Sequence, residues 1–179
     1  MEDAWPDSTI IIEECPNDIL GIRKVNQDAF RGDYEADVVD RLRLNCVQIL
    51  SLVAKKGDQV VGHILFSPVA IIQNEGWTID GMGLGPLAVH PDHQGLGIGS
   101  ALCRAGLQRM KGDGHPYVVV LGHPDYYPRF GFTPASNYGI KCAYEGVPQD
   151  AFMICIFNPQ QMEGVRGRAF YREEFGDVD

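Results

Sequence analysis

One stretch near the middle of the chain combines a core strand, a glycine-rich turn and an amphipathic helix. The segment from Leu84 to Val89 predicts a strand that His90-Pro91 ends, and a helix is expected from about Gly97 to Lys111. The helix carries its apolar residues on one side, namely Ile98, Ala101, Leu102 and Ala105. The apolar run from Tyr117 to Leu121 then predicts a buried parallel strand. A β-α-β unit of this kind places its ligand site at the carboxyl end of the first strand.

The turn between the predicted strand and helix has the chemistry of an anion site. Helix N-termini expose unpaired N–H groups, and glycine lets the backbone approach a phosphate closely. A P-loop is excluded because the chain has no Gly-Lys-Ser/Thr tripeptide. The spacing of Gly95, Gly97 and Gly99 does not fit G-x-G-x-x-G either, which leaves a Q-x-x-G-x-G pattern that begins at Gln94. A glycine-rich turn that binds nothing stays open as the alternative.

The remaining elements predict a single mixed α/β domain over residues 1–179. Two helices follow a first strand, then an antiparallel meander, the β-α-β unit and two late strands. Ser67-Pro68 is expected to bend the chain, and residues 74–86, rich in glycine, are expected to form a loop. The predicted strands are Thr9–Glu13, Ile49–Ala54, Gln59–Phe66, Val69–Gln73, Tyr138–Tyr144 and Phe152–Phe157, and the predicted early helices span about 16–30 and 35–45.

Charge and cysteine content limit the partners and the compartment. The chain has 15 Lys and Arg against 24 Asp and Glu, a net charge of −9, which disfavours nucleic acid as a partner. Its five cysteines include no C-x-x-C pair, which argues against a disulfide framework and a zinc site and favours a reducing compartment. The segment from Met1 to Pro6 lacks the features of a signal peptide, and no apolar run is long enough to cross a membrane. We therefore expect a cytoplasmic protein without metal or membrane partner.

Two motifs together resemble the GNAT superfamily of N-acetyltransferases. The first is the Q-x-x-G-x-G turn after the strand, and the second is Tyr127, four residues before Gly131-Phe132. The stretch from Leu121 to Phe132 is similar to the YhbS-like bacterial subgroup. The resemblance covers most of the chain. It implies a GNAT-like acyl-CoA N-acyltransferase fold with a mostly antiparallel sheet, one parallel β-α-β unit, flanking helices and a CoA-binding core at about 84–132.

The resemblance also implies acetyl-CoA as co-substrate and assigns residues to it. The pyrophosphate would be held by the backbone amides of Gln94, Gly95, Leu96, Gly97, Ile98, Gly99 and Ser100. The pantetheine arm would pair with the strand edge at Leu87, Ala88 and Val89. The Leu87 amide would hold the thioester oxygen. Tyr127, also in contact with the co-substrate, would protonate the departing sulfur as general acid.

One position departs from the family pattern. Several members carry a glutamate as general base four residues before the residue that holds the thioester oxygen, and here Gly83 occupies that place. His123 is the first candidate for the base, because it follows the strand 117–121 and has an ordinary pKa near 6.5. Asp80, His63 or a chain of waters are the other options.

The sequence thus predicts direct transfer of an acetyl group to a primary amine, in a ternary complex. The acceptor would be a small molecule or a peptide amine. The missing glutamate favours a different class, a non-catalytic acyl-CoA sensor or interaction domain, as the alternative. Dimers are common in the family, so the oligomeric state stays open.

Overall fold

A computed structural model describes residues 8–176 of the chain. The expectation that Met1 to Pro6 carry no signal peptide lies outside this range. The strands are β1 (Thr9–Glu13), β2 (Leu50–Lys56), β3 (Gln59–Ile72), β4 (Thr78–Val89), β5 (Tyr117–Leu121), β6 (Thr133–Pro134), β7 (Ile140–Cys142), β8 (Phe152–Ile156) and β9 (Gly167–Phe170). The α-helices are α1 (Ile19–Phe30), α2 (Tyr34–Asn45) and α3 (Ile98–Gly112). Short 3-10 helices include Pro91–His93 and Tyr127–Phe130.

The chain forms two compact units, and the first comprises the described residues up to Leu65 together with Pro86–Gly106. Its strands lie in the order β1-β2-β3, and β1 is antiparallel to β2. The helices α1 and α2 are joined by Arg23, which donates to Asp37 over 2.9 Å and to Asp40 over 2.7 Å. The core residues of these two helices are Ile22, Val25, Ala36, Val38, Val39 and Leu42, and all are buried.

The helix α3 packs against β3 at a glycine in the first unit. A Cβ atom at Gly62 would lie 2.9 Å from Ile98 Cγ2 and 3.0 Å from Leu102 Cδ1. A larger residue at this position would therefore require Ile98 and Leu102 to shift, so glycine allows the close packing of α3 on β3.

The second unit comprises Phe66–Gly85 and the described residues from Leu107 to Gly176. Its strands lie in the order β3-β4-β5-β8-β6, and β9 pairs with both β3 and β7. The parallel ladder joins Met82 to Val118, Gly83 to Val119 and Leu84 to Val120, while β5 and β8 are antiparallel. One cluster of buried residues forms its core, and the largest members are Ile71, Tyr117, Ile140, Phe152, Ile154 and Met162.

The predicted fold class is confirmed. The strands are mostly antiparallel, and β4-α3-β5 is the predicted β-α-β unit with a parallel pair. A second, short parallel pair joins β7 and β9. The assignment of residues 1–179 to a single domain, with a CoA-binding core at about 84–132, stays a prediction.

Two local predictions are wrong. Ser67-Pro68 does not end a strand, because β3 continues from Gln59 to Ile72. Most of residues 74–86 is not a loop, since β4 begins at Thr78 and runs to Val89. Near the C-terminus, β9 lies in a segment that the sequence did not identify as a strand.

Candidate active site

The turn that leads into α3 presents its backbone to solvent. Gln94, Gly95, Leu96 and Gly97 are exposed, and the φ angles of Gly95 and Gly97 are +77° and +85°. Such left-handed conformations favour glycine because it has no Cβ. The first helical hydrogen bond runs from the Ala101 N–H to the Gly97 carbonyl over 3.0 Å. The helix therefore begins at this turn, and the helix dipole is positive there.

The Gln94 side chain ties this turn to the strand before it. Its Nε2 donates to the Val89 carbonyl over 3.0 Å. The His90 N–H donates to the Val61 carbonyl of β3 over 2.9 Å, which fixes the end of β4. Within the first turn of α3, Ile98 is buried while Gly99 and Ser100 are half-buried. Because the side chain of Ile98 is buried, this residue could contact a ligand only through its backbone.

The end of β4 carries the three residues predicted to face the pantetheine arm. Ala88 is buried, and Leu87 and Val89 are half-buried. The last residue of β4 in the parallel ladder with β5 is Leu84, whereas the strand itself continues to Val89. The pairing with β5 thus ends before Leu87, Ala88 and Val89, the residues predicted to pair with the pantetheine arm.

Tyr127 and its neighbour Tyr126 have different environments in the second unit. Tyr127 is buried, and its ring lies against Gly122 so closely that no side chain could replace that glycine's hydrogen. It makes edge contacts with Tyr126 at 5.1 Å and Phe132 at 5.7 Å between ring centroids. Tyr126 is half-buried and has the guanidinium of Arg129 4.6 Å above its ring. The packing of Tyr127 is what a fixed acid would require, since its ring is held on several sides.

His123 lies at the surface just before this tyrosine pair. Its side chain is exposed, and its carbonyl accepts the N–H of Tyr126 over 3.1 Å and that of Tyr127 over 3.5 Å. The structure therefore places the His123 backbone next to the candidate acid. The base role of the imidazole stays a prediction.

Two aromatic rings, which the sequence reasoning missed, cover the glycines of β4. A Cβ atom at Gly83 would lie 2.8 Å from Tyr171 Cε1 and 2.7 Å from Val69 Cγ2. Gly81 meets the ring of Tyr117 in the same way. The space of the expected glutamate is therefore filled by Tyr171. Glycines at alternate positions of a strand face the same side, and this pattern was the available signal for large side chains packed against them.

Tyr117 is a structural residue. Its hydroxyl lies 2.9 Å from the Ile79 carbonyl and 3.1 Å from that of Val69, so its hydrogen bonds are made within the protein. Burial raises the pKa of its phenol. Tyr117 thus fastens β3 and β4 and keeps its proton.

His63 was one of the weaker options for the base, and the structure argues against it. Its side chain is fully buried, and this burial lowers its pKa to about 3. The Asn26 Nδ2 donates both to the Ile22 carbonyl and to His63 Nδ1, which assigns the hydrogen of the ring to Nε2. His63 is therefore neutral at physiological pH and a poor proton acceptor there.

A chain of buried polar groups continues from His63. Its Nε2 lies 2.9 Å from Ser51 Oγ, and the Ser51 hydroxyl donates to Glu14 in a short hydrogen bond. Arg43 donates to both carboxylate oxygens of Glu14, over 2.8 and 2.9 Å. Burial raises the pKa of Glu14, but the hydrogen bonds from Arg43 and Ser51 outweigh it and keep this pKa below its ordinary value. The chain links α1, α2 and the strands of the first unit.

The described residues offer no alternative centre of chemistry based on a metal. Within 8–176, no group of three or more His, Cys, Asp or Glu side chains could hold a metal ion. All five cysteines are free thiols. In the same range, no helix has the length and apolar character needed to cross a bilayer.

Comparison with known proteins identifies the family. The family model described as the acetyltransferase (GNAT) domain matches residues 16–135. The chain belongs to the GNAT family of acetyltransferases. The family predicted from the two motifs is therefore confirmed, and this GNAT chain is an enzyme of the N-acetyltransferase class.

Relatives of this GNAT chain extend over nearly its full length. The uncharacterized N-acetyltransferase YhbS of Escherichia coli K12 is 34% identical over 167 residues, covering 93% of this chain and 98% of the relative. The uncharacterized N-acetyltransferase YjhQ of the same strain is 39% identical over 137 residues, or 75% of each chain.

Two solved structures are similar to this one and contain the co-substrate or its product. The crystal structure of Escherichia coli YhbS in complex with CoA has a TM-score of 0.88 and 32% identity, covering 100% of this chain and 98% of that one. A GNAT family acetyltransferase from Brucella melitensis in complex with acetyl-CoA has a TM-score of 0.77 and 36% identity, covering 95% and 99%. The predicted YhbS-like subgroup is thereby confirmed.

Proposed function

We propose that this GNAT chain transfers the acetyl group of acetyl-CoA directly to a primary amine, in the cytoplasm. The observation that carries the proposal is the exposed glycine turn at the start of α3, where Gly95 and Gly97 adopt left-handed conformations. Relatives with 32% and 36% identity contain CoA or acetyl-CoA, which supports the same ligand here. The amides of Gln94 to Ser100 would hold the pyrophosphate.

The transfer requires four actions from the chain. The strand edge at Leu87, Ala88 and Val89 would align the pantetheine arm, and the Leu87 amide would stabilise the negative charge that develops on the thioester oxygen. The neutral amine attacks the carbonyl carbon, the C–S bond breaks, and Tyr127 gives a proton to the thiolate. The amine loses its extra proton to His123, directly or through water. Our proposal needs no covalent intermediate on the enzyme.

Thiol release tests this proposal. Purified protein is mixed with acetyl-CoA and each of putrescine, spermidine, L-lysine, tyramine and glucosamine, and free CoA thiol is measured. Release that depends on the amine is expected, together with an acetylated amine seen by mass spectrometry. Binding of CoA without release for any amine would overturn the transferase proposal for these acceptors.

A second candidate is a non-catalytic acyl-CoA sensor, and Gly83 favours it. In this position the chain has no carboxylate, and Tyr171 fills the space instead. Such a sensor would bind acetyl-CoA tightly in calorimetry and release no thiol. The same amine panel therefore separates the two candidates.

The role of His123 has its own test. If its imidazole accepts the proton of the amine, His123→Ala should lower kcat/KM and change its dependence on pH. The pH–rate profile of the variant is compared with that of the parent. An unaltered pH–rate profile would show that His123 is not the base, and water would then be the remaining candidate.

A further inference from the structure

The Tyr171 hydroxyl is buried and has no hydrogen-bond partner among residues 8–176. This distinguishes it from Tyr117, whose hydroxyl is bonded to two carbonyls. Leaving a buried polar group without a partner is unfavourable by about 1–3 kcal/mol. Such a group in a folded protein calls for an explanation, and a bound ligand is one of the few available.

The position of Tyr171 connects it with the candidate acid. Its ring takes the space above Gly83, where related enzymes carry the glutamate, and packs 2.8 Å from the site of a Cβ atom there. Gly83 pairs with Val119 of β5, and the segment that carries Tyr127 follows β5 in the same unit. Tyr171 therefore packs on the strand that lies beside the element leading to the candidate acid.

The surroundings of Tyr171 are aromatic. The centroid of the Tyr144 ring lies 6.1 Å from that of Tyr171, and the centroid of the Phe175 ring lies 5.5 Å away. Burial raises the pKa of the Tyr171 phenol well above 10, and nearby Cys142, Tyr144, Tyr117 and Tyr127 act in the same direction. The hydroxyl therefore keeps its proton. It offers one donor and two acceptor positions to a partner.

An environment of this kind selects an uncharged amine. An ammonium ion would lose its hydration beside these rings, and this loss is strongly unfavourable. The neutral amine can instead donate an N–H to the phenol oxygen and keep its lone pair for the thioester carbon. Tyr144, Tyr171 and Phe175 are each half-buried, so this aromatic cluster is partly accessible from solvent.

We propose that the Tyr171 hydroxyl binds the acceptor amine in its neutral form, by accepting one N–H hydrogen bond, and so orients the lone pair for attack. This inference rests on the proposed transferase function. Tyr171, whose ring fills the space above Gly83, would thus contact the acceptor amine.

The test compares Tyr171→Phe with the parent enzyme, using the amine from the panel that gives the fastest thiol release. We expect the KM for this amine to rise about tenfold, in keeping with one lost hydrogen bond. The KM for acetyl-CoA should stay unchanged and kcat should change less than the KM for the amine. The melting temperature should not fall, because the exchange removes a buried hydroxyl that has no protein partner.

Tyr138→Phe is the matched control. Tyr138 is 43% exposed and lies outside the aromatic cluster around Tyr171. We expect unchanged amine kinetics and an unchanged melting temperature for this variant.

Each other outcome of the comparison has a defined meaning. An unchanged KM for the amine in Tyr171→Phe, with an active parent, overturns this inference and leaves the transferase proposal intact. A loss of melting temperature with unchanged kinetics would show a buried water or a structural bond at the hydroxyl instead, and overturns it too. A parent that releases no thiol with any amine overturns both.

Discussion

Gly83 and Gly85 lie on the same face of β4 but have different neighbours. A Cβ atom at Gly83 would be within 3.0 Å of both Val69 and Tyr171, while one at Gly85 would meet nothing within 4 Å. We expect Gly83→Ala to lower the free energy of unfolding by about 1–3 kcal/mol, since the added carbon overpacks the core. Gly85→Ala should change it by less than about 0.5 kcal/mol.

Urea unfolding of both variants measures the difference. Equal free energies of unfolding would mean that Tyr171 moves aside without penalty. In that case Gly83 would not be required by packing, and a glutamate could be restored there.

The two adjacent tyrosines allow a matched test of the acid. Tyr127 is buried and enclosed by aromatic rings, whereas Tyr126 is half-buried. Tyr127→Phe should lower kcat about a hundredfold, because the thiolate would leave without a proton. Tyr126→Phe should stay within about twofold of the parent, and calorimetry should give both variants the parent's affinity for CoA. An unchanged turnover of Tyr127→Phe would remove this residue from the acid role.

At the scale of elements, the turn before α3 contains two glycines in left-handed conformations, Gly95 and Gly97. Gly97 has a φ of +85° and Gly57, in the turn between β2 and β3, has a φ of +59°. Replacing either by alanine strains the backbone and should reduce stability by about 1 kcal/mol. Only Gly97→Ala should also weaken CoA binding, by about tenfold, because it would displace the amides proposed to hold the pyrophosphate.

Isothermal titration with CoA compares the two glycine variants. Equal affinities in Gly97→Ala and Gly57→Ala would show that the conformation at Gly97 serves folding alone. The proposed phosphate site would then have to lie elsewhere.

The sequence predicted α3, its glycine turn and β5 because these elements carry local signals. The Gln94 to Gly99 pattern, the apolar stripe of the helix and the run Tyr117–Leu121 each depend on neighbouring residues only. The length of β4 was not predicted, since Gly81 and Gly83 resemble a loop unless the rings of Tyr117 and Tyr171 are known to cover them. These contacts join residues far apart in the sequence.

The same limit explains β3 and β9. Pro68 lacks an N–H and therefore suggests the end of a strand. Pairing of β3 with β9 begins at Ala70, beyond the proline, so the strand continues to Ile72. The partner strand is at the other end of the chain, so no local pattern predicts that β3 continues. Tyr171 follows β9 directly. Because β9 was not predicted, the sequence did not indicate that Tyr171 lies beside Gly83.

For the whole molecule, the buried histidine predicts how stability depends on pH. The pKa of His63 is about 3 in the folded protein and ordinarily 6.5. Below pH 6.5, His63 is therefore protonated in the unfolded chain but stays neutral in the folded protein until the pH approaches 3. This residue should reduce the free energy of unfolding by up to about 1.4 kcal/mol per pH unit as pH falls from 6 toward 3.

Glu14 acts in the same direction in a lower range. Its folded pKa lies below the ordinary 4.5, so its contribution is present above that pH and is lost on further acidification. Urea unfolding between pH 7 and 4 should therefore give His63→Gln a flatter slope from pH 6 downward, while Glu14→Gln differs in slope only below about pH 5. Parallel slopes for His63→Gln and the parent would show that His63 is protonated in the folded state.

Neither compact unit corresponds to one continuous stretch of chain. The first is completed by Pro86–Gly106, and residues 66–85 of the second unit precede that segment. During synthesis, the ribosome therefore releases part of the second unit before the first has all its strands. The first unit cannot complete its fold until residue 106 has emerged, and no single cut of the polypeptide yields either unit as an intact fragment.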